Sequence, residues 1–81
     1  MRSPETPVHA LSGPRRLVLR PGSRGPAVAA LQRRLAELGW YGGEPDGVYG
    51  ELTEDAVRAL QRAFRLRVDG VAGPEVRRLL E

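Results

Sequence analysis

The chain has 81 residues, 41% of them hydrophobic, no cysteine and a formal net charge of +3; that length holds one domain with a modest core and leaves no room for a second. Without cysteine there is no disulfide staple, no thiolate nucleophile and no cysteine metal ligand, and the absence fits a reducing or an oxidising compartment alike. The basic excess is local: residues 1–25 carry five Arg against one Glu, or +4, while residues 26–81 carry eight Arg against nine acids, or −1, so the main body of the chain is near neutral and a poor electrostatic match for nucleic acid.

Residues 1–16 read as a flexible leader, because Pro4, Pro7, Gly13 and Pro14 stand among small polar residues with no periodicity. The start, MRSPETPVHALSGP, lacks the hydrophobic stretch of a secretory signal, and no apolar run is long enough to span a bilayer. No membrane insertion is expected, and an export signal, if the protein works outside the cell, is not in this chain. The domain itself is expected over residues 17–81, opening with a short extended piece from Leu17 to Leu19 and a turn at Pro21 and Gly22.

The first helix is predicted at about residues 26–38, where Val28, Leu31, Leu35 and Leu38 recur at three- and four-residue steps and make one apolar stripe. Pro26 suits its first turn and Gly39 its end. The second is predicted at about 53–65, with Thr53 as a hydroxyl N-cap, Glu54 and Asp55 facing the positive end of the dipole, and the stripe Val57, Leu60, Phe64. A short third helix is expected to start at Pro74 behind Gly73 and to bury Val76, Leu79 and Leu80. Three short helices joined by glycine-rich loops point to an all-α, orthogonal three-helix bundle.

The chain also repeats itself. Asp46-Gly47-Val48-Tyr49-Gly50 recurs as Asp69-Gly70-Val71-Ala72-Gly73 before a helix, and Ala30-Leu31-Gln32-Arg33 recurs as Ala59-Leu60-Gln61-Arg62 within one. In the loop copies Asp bonds its own backbone two residues on, the next Gly takes positive φ, and Val is expected to anchor the loop in the core. Gln32 and Gln61 fall beside the apolar stripes, where a side-chain amide can satisfy loop carbonyls and N–H groups.

With its G-S-R-G-P lead-in at Gly22 to Pro26, the helix LQRRLAELG at Leu31 to Gly39, two DGVxG loops and ALQRAF between them, the segment from about residue 17 to 80 resembles a peptidoglycan-binding domain of the first, three-helix type. The resemblance implies a compact three-helix fold that binds bacterial peptidoglycan, through glycan, stem peptide or both. It implies a role in tethering cell-wall enzymes such as hydrolases, with no activity and no cofactor of its own, and a cell-wall or extracellular location. The sequence departs from the family pattern after the second Gly-Pro pair, where a Thr and often a Trp would follow; Val76 and Arg77 stand there instead.

Peptidoglycan presents sugar rings, amides, and stem peptides with carboxylates and amines. Sugars stack on aromatic faces, carboxylates suit Arg, and amides suit Asp, Thr and glycine-exposed backbone. On that chemistry Trp40, Tyr41, Asp46, Tyr49 and Thr53 are expected to line one shallow groove at the first loop, with Arg65 or Arg67 reaching a stem-peptide carboxylate. The structural alternatives are that Trp40 and Tyr41 cover the end of the core, that Asp46 fixes an Asx turn and that Thr53 caps its helix. Tyr49 is expected to be the ligand residue among these, because its counterpart in the second loop is Ala72.

The one histidine, His9, lies in the leader and the chain has no cysteine, so zinc hydrolysis and Cys–His chemistry are not expected. DGVYGELTED does not alternate oxygen ligands as a calcium loop does, so no metal is assigned. Two other classes remain: a helical DNA-binding module, disfavoured by Glu54 and Asp55 at the start of the second helix, and a protein-docking module that reuses the fold.

Overall fold

The computed structural model of the protein describes residues 17–81. The expected leader, His9 included, lies outside the described residues. Three helices follow one another: α1 over Pro26–Glu37, α2 over Glu51–Ala63 and α3 over Pro74–Leu80. Each begins behind a glycine N-cap, Gly25, Gly50 or Gly73, with no side-chain cap bond. Pro26 and Pro74 stand in the first turn of α1 and α3, where a missing N–H leaves no intrahelical bond unmade.

The second helix corrects the expected start. It opens two residues earlier, at Glu51, because Gly50 is extended and already serves as the cap, so Thr53 is the third helical residue and its hydroxyl turns inward. Glu51 and Glu54 then occupy the first turn, against the positive end of the dipole. The helix also stops earlier, at Ala63.

Both longer helices end in the same way. Gly39 takes φ 88 and Arg65 takes φ 59, each in the left-handed region. Around Gly39, Trp40 N–H donates to Leu35 O at 2.8 Å and Gly39 N–H to Ala36 O at 3.0 Å; around Arg65, Leu66 N–H donates to Gln61 O at 2.8 Å and Arg65 N–H to Arg62 O at 3.2 Å. These are Schellman closures of the two last turns. They explain why the last member of each predicted stripe is not buried: Leu38 and Phe64 are the C-caps, where the chain leaves the helix, and they stay 45% and 50% exposed. Leu79 is likewise exposed, because Val76 and Leu80, four residues apart, take the buried face of α3.

The buried core joins Val28, Leu31 and Leu35 of α1 to Val57 and Leu60 of α2 and Val76 and Leu80 of α3, with Leu19, Tyr41, Tyr49 and Ala72 from the connecting segments. Each large aliphatic side chain so buried contributes roughly 1.5–3 kcal/mol of transfer free energy. The segment ahead of α1 laces the two DGVxG loops together. Leu19 exchanges both backbone bonds with Ala72, at 3.1 and 2.8 Å, while Tyr49 N–H donates to Ser23 O and Gly25 N–H to Gly47 O, both at 2.9 Å. Arg77, at the departing position of the family pattern, is buried and donates from Nη1 to Leu17 O at 3.1 Å, so it helps to hold that lead-in segment. Arg34 Nε donates to Leu80 O at 2.6 Å and ties α1 to the C-terminal end of α3.

Candidate functional site

Two buried glutamine amides organise the loops. Gln32 Oε1 accepts from Gly47 N–H at 2.9 Å, and its Nε2 faces Thr53 Oγ1 at 2.8 Å, Val48 O at 2.9 Å, Asp46 Oδ1 at 3.1 Å and Tyr41 Oη at 3.3 Å. Gln61 repeats the device: Oε1 accepts from Gly70 N–H at 2.9 Å and Asp69 N–H at 3.2 Å, and Nε2 donates to Asp69 Oδ1 at 2.8 Å and Val71 O at 3.1 Å. The backbone donors at each Oε1 settle which way each amide points. Gly47 and Gly70 lie at φ 79 and 74, as the loop sequence requires. A Cβ at Gly47 would also come within 3.3 Å of Gly25 O.

Asp46 and Asp69 close the Asx turns expected of them, accepting from Val48 N–H at 3.0 Å and Val71 N–H at 2.9 Å. Those backbone donors, followed by the Gln32 and Gln61 amides, hold both carboxyls below the usual aspartate range; for Asp69 the nearby charge of Arg67 adds to the effect. The valines do not anchor the loops as expected. Val48 is exposed and Val71 only partly buried, since glutamine fixes the loop backbone and no apolar anchor is needed.

Three of the five residues expected to line a groove at the first loop are buried. Tyr49 is 2% exposed, and its hydroxyl crosses to the second loop to donate to Gly70 O at 2.6 Å. Burial pushes the phenol well above the ordinary tyrosine range, with the charges of Glu54 and Asp69 acting in the same direction. Its burial and its bond to the second loop give a structural reason for an aromatic at a position where the second loop carries Ala72. Thr53 is 1% exposed and committed to Gln32. Tyr41 is buried too and donates to Glu44 O at 2.8 Å. Trp40 is partly buried against the core edge, and Asp46 is exposed but engaged in its turn. Of the expected set, only Trp40 and Asp46 present surface at the first loop.

An open cleft of about 470 Å³ lies instead at the second loop, and Arg65 lines it. Its apolar wall is Val18, Leu66, Val71 and Val76; its charged groups are Arg65 and Arg67 behind α2, Asp69 in the loop and Glu75 at the start of α3. The repeat explains the opening. Gln32 and Asp46 are 14 residues apart, Gln61 and Asp69 only 8, so the second connection is six residues shorter. Counted from the left-handed residue, Gly39-Trp40-Tyr41 corresponds to Arg65-Leu66-Arg67, and Thr53 corresponds to Val76. The ring and hydroxyl that crowd Gln32 are thus absent beside Gln61. Arg67 is named from sequence beside Arg65, and Asp69 as the counterpart of the Asx-turn residue Asp46; Glu75 is not singled out there, and the shortened Gln-to-Asp spacing is the signal that brings it to this cleft. Arg65 holds its left-handed backbone at a cost of roughly 1–2 kcal/mol, where the first copy has glycine.

The family described as "Putative peptidoglycan binding domain" matches residues 24–80. A spore cortex-lytic enzyme of Halalkalibacterium halodurans is 41% identical over 81 residues, which is 100% of this chain and 24% of that protein. The N-acetylmuramoyl-L-alanine amidase CwlM of Mycobacterium tuberculosis is 46% identical over 56 residues, 69% of this chain and 14% of that protein. Among solved structures, the crystal structure of the SleB N-terminal domain superposes with a TM-score of 0.76 at 42% identity, covering 80% of this chain and 89% of that one. The chain therefore spans about a quarter or less of the length of these two enzymes.

Proposed function

The chain belongs to the peptidoglycan-binding domain family, and from that membership we propose that it is a non-catalytic module that attaches to the bacterial cell wall and tethers a wall-cleaving enzyme to its polymer. Support comes from the relatives named as a spore cortex-lytic enzyme and an amidase, in which the matching part is a minor share of the length. The observation that carries the site is the open cleft at the second loop, where exposed charge and apolar surface meet in a concavity of ligand size. Arg65 keeps its expected role there, joined by Arg67, Asp69 and Glu75, while Trp40 and Asp46 are left as outlying contacts at the first loop. Tyr41, Tyr49 and Thr53 act from beneath, by holding the loops. A single shallow cleft gives weak affinity, which repeated sites on an insoluble polymer and a linked enzyme would raise through avidity.

The test is co-sedimentation of the 81-residue chain with purified insoluble peptidoglycan of several chemical types, at low and moderate salt. The wild type is expected in the pellet, and Arg67→Glu in the supernatant with an unchanged circular dichroism spectrum. Failure of the wild type to pellet with any of the polymers would overturn the cell-wall reading and move the proposal to protein docking.

A further inference from the structure

Resting on the cell-wall reading, we propose that the cleft recognises the stem peptide of peptidoglycan and not its glycan strand. The first ground is what the cleft lacks. Sugar rings present C–H faces that stack on exposed aromatic side chains, and no Trp, Tyr or Phe lines this cleft. Two of the four aromatic residues are committed elsewhere, with the Tyr41 and Tyr49 rings buried and their hydroxyls donating to Glu44 O and Gly70 O. Trp40 packs on the core edge and Phe64, though exposed, is not part of the lining.

The second ground is what the cleft offers. A stem peptide carries free carboxylates, the amine of its diamino acid, alanine methyl groups and a run of amides, all within a few residues. Arg65 and Arg67 make no ion pair within 4.0 Å among the described residues, and although the charge of Arg67 is felt at Asp69, both guanidinium forks have donors to offer a carboxylate in bidentate fashion. Asp69 and Glu75 supply negative charge for an ammonium. Asp69 uses Oδ1 for the Gln61 amide and the Val71 N–H, which fixes the carboxylate in place. Between these groups the four valine and leucine side chains of the wall match methyl groups. A glycan strand in the intact wall, with its hydroxyls, N-acetyl amides and lactyl groups amide-linked to the peptide, uses neither sign of charge.

The third ground is the comparison between the two repeats. At the first loop the positions corresponding to Leu66, Arg67 and Val76 are Trp40, Tyr41 and Thr53, and there the site is closed by its own side chains. The second copy has exchanged both aromatics for an aliphatic and a cation while opening the space. The charge needed for a peptide and the room to hold it arise from the same stretch of chain.

The test is competition for binding to intact sacculi. Soluble stem peptide containing the diamino acid, without sugar, is added in one arm, and glycan strands stripped of peptide by an amidase, with the freed lactyl carboxylates amidated so that the strand stays neutral, in the other. Stem peptide is expected to release the chain and peptide-free glycan to leave it bound. Arg67→Glu is expected to lower affinity for intact sacculi at least about tenfold, the loss of one charge-assisted pair, and Glu75→Gln to weaken binding less when the amine of the diamino acid is free than Arg67→Glu does. Release by peptide-free glycan, with stem peptide inert, would overturn the inference and leave the cell-wall reading standing. Absence of binding to intact sacculi would overturn both.

Discussion

Replacing Gln32 by leucine tests whether one buried amide holds the first loop. The side chain is fully buried, and its loss has a cost that can be followed atom by atom. Asp46 keeps the Val48 N–H and is open to solvent, Tyr41 keeps Glu44 O, and Val48 O keeps Gly50 N–H at 3.0 Å. Two groups are orphaned out of reach of water: the Gly47 N–H and the Thr53 hydroxyl. At roughly 1–3 kcal/mol for each unsatisfied buried group, less a small gain from burying leucine, the expected loss is about 3 kcal/mol. A domain of this size has a total stability on the order of 3–10 kcal/mol. The variant should therefore melt roughly 12–24 °C lower, and urea unfolding followed by far-ultraviolet circular dichroism should show a large drop in midpoint at constant slope. Gln61→Leu should cost less, since Gly70 N–H is the only buried backbone donor that it strands. A loss below about 1 kcal/mol for Gln32→Leu would refute the reasoning, because water or a bond from Thr53 to its own helix would then be replacing the amide.

Arg65→Gly should stabilise the fold by about 1 kcal/mol, by relieving the left-handed strain, while weakening wall binding; thermal melts and sedimentation read the two effects separately. Tyr49→Phe should cost about 1 kcal/mol in urea unfolding, the bond to Gly70 O being lost from a buried carbonyl. Because the Tyr49 pKa is raised by burial, the unfolded phenol ionises first, so its contribution is whole below about pH 10 and is lost as pH rises beyond that. An alkaline absorbance titration should find Tyr49 ionising only as the protein unfolds, and a Tyr49→Phe chain should lack that component. Asp46 and Asp69 act with the opposite sign. Their folded pKa values are depressed by the Val48 and Val71 N–H groups, so their contribution is whole above about pH 4 and is lost as pH falls through the folded values. An Asp46→Asn, Asp69→Asn double variant should show a flatter acid limb in a stability-versus-pH curve.

The helices were legible because apolar spacing, proline and glycine mark them directly, and the loop repeat announced both the Asx turns and the positive φ at Gly47 and Gly70. What misled was the treatment of single residues. Thr53 looks like an N-cap because hydroxyls favour that position, yet glycine in extended geometry does the capping and frees the hydroxyl for Gln32. Leu38 and Phe64 continue a helical period that the chain abandons one residue later, and periodicity cannot see a Schellman turn whose left-handed residue is arginine. Tyr41 and Tyr49 lie in the core for a related reason. Aromatic residues beside a loop attract a ligand reading, but a domain with so small a core uses Tyr41 and Tyr49 to fill it. The cleft comes from a difference of six residues between the copies, a feature of spacing and not of residue type.

The most direct test of this account is amide chemical-shift mapping of the isotope-labelled 81-residue chain during titration with soluble muropeptides. Shifts concentrated between residues 65 and 76, with Arg65, Arg67, Asp69 and Glu75 foremost and Trp40 and Asp46 little changed, are the predicted result. Shifts concentrated between residues 40 and 53, with the second loop unmoved, would contradict it and return the binding site to the first loop.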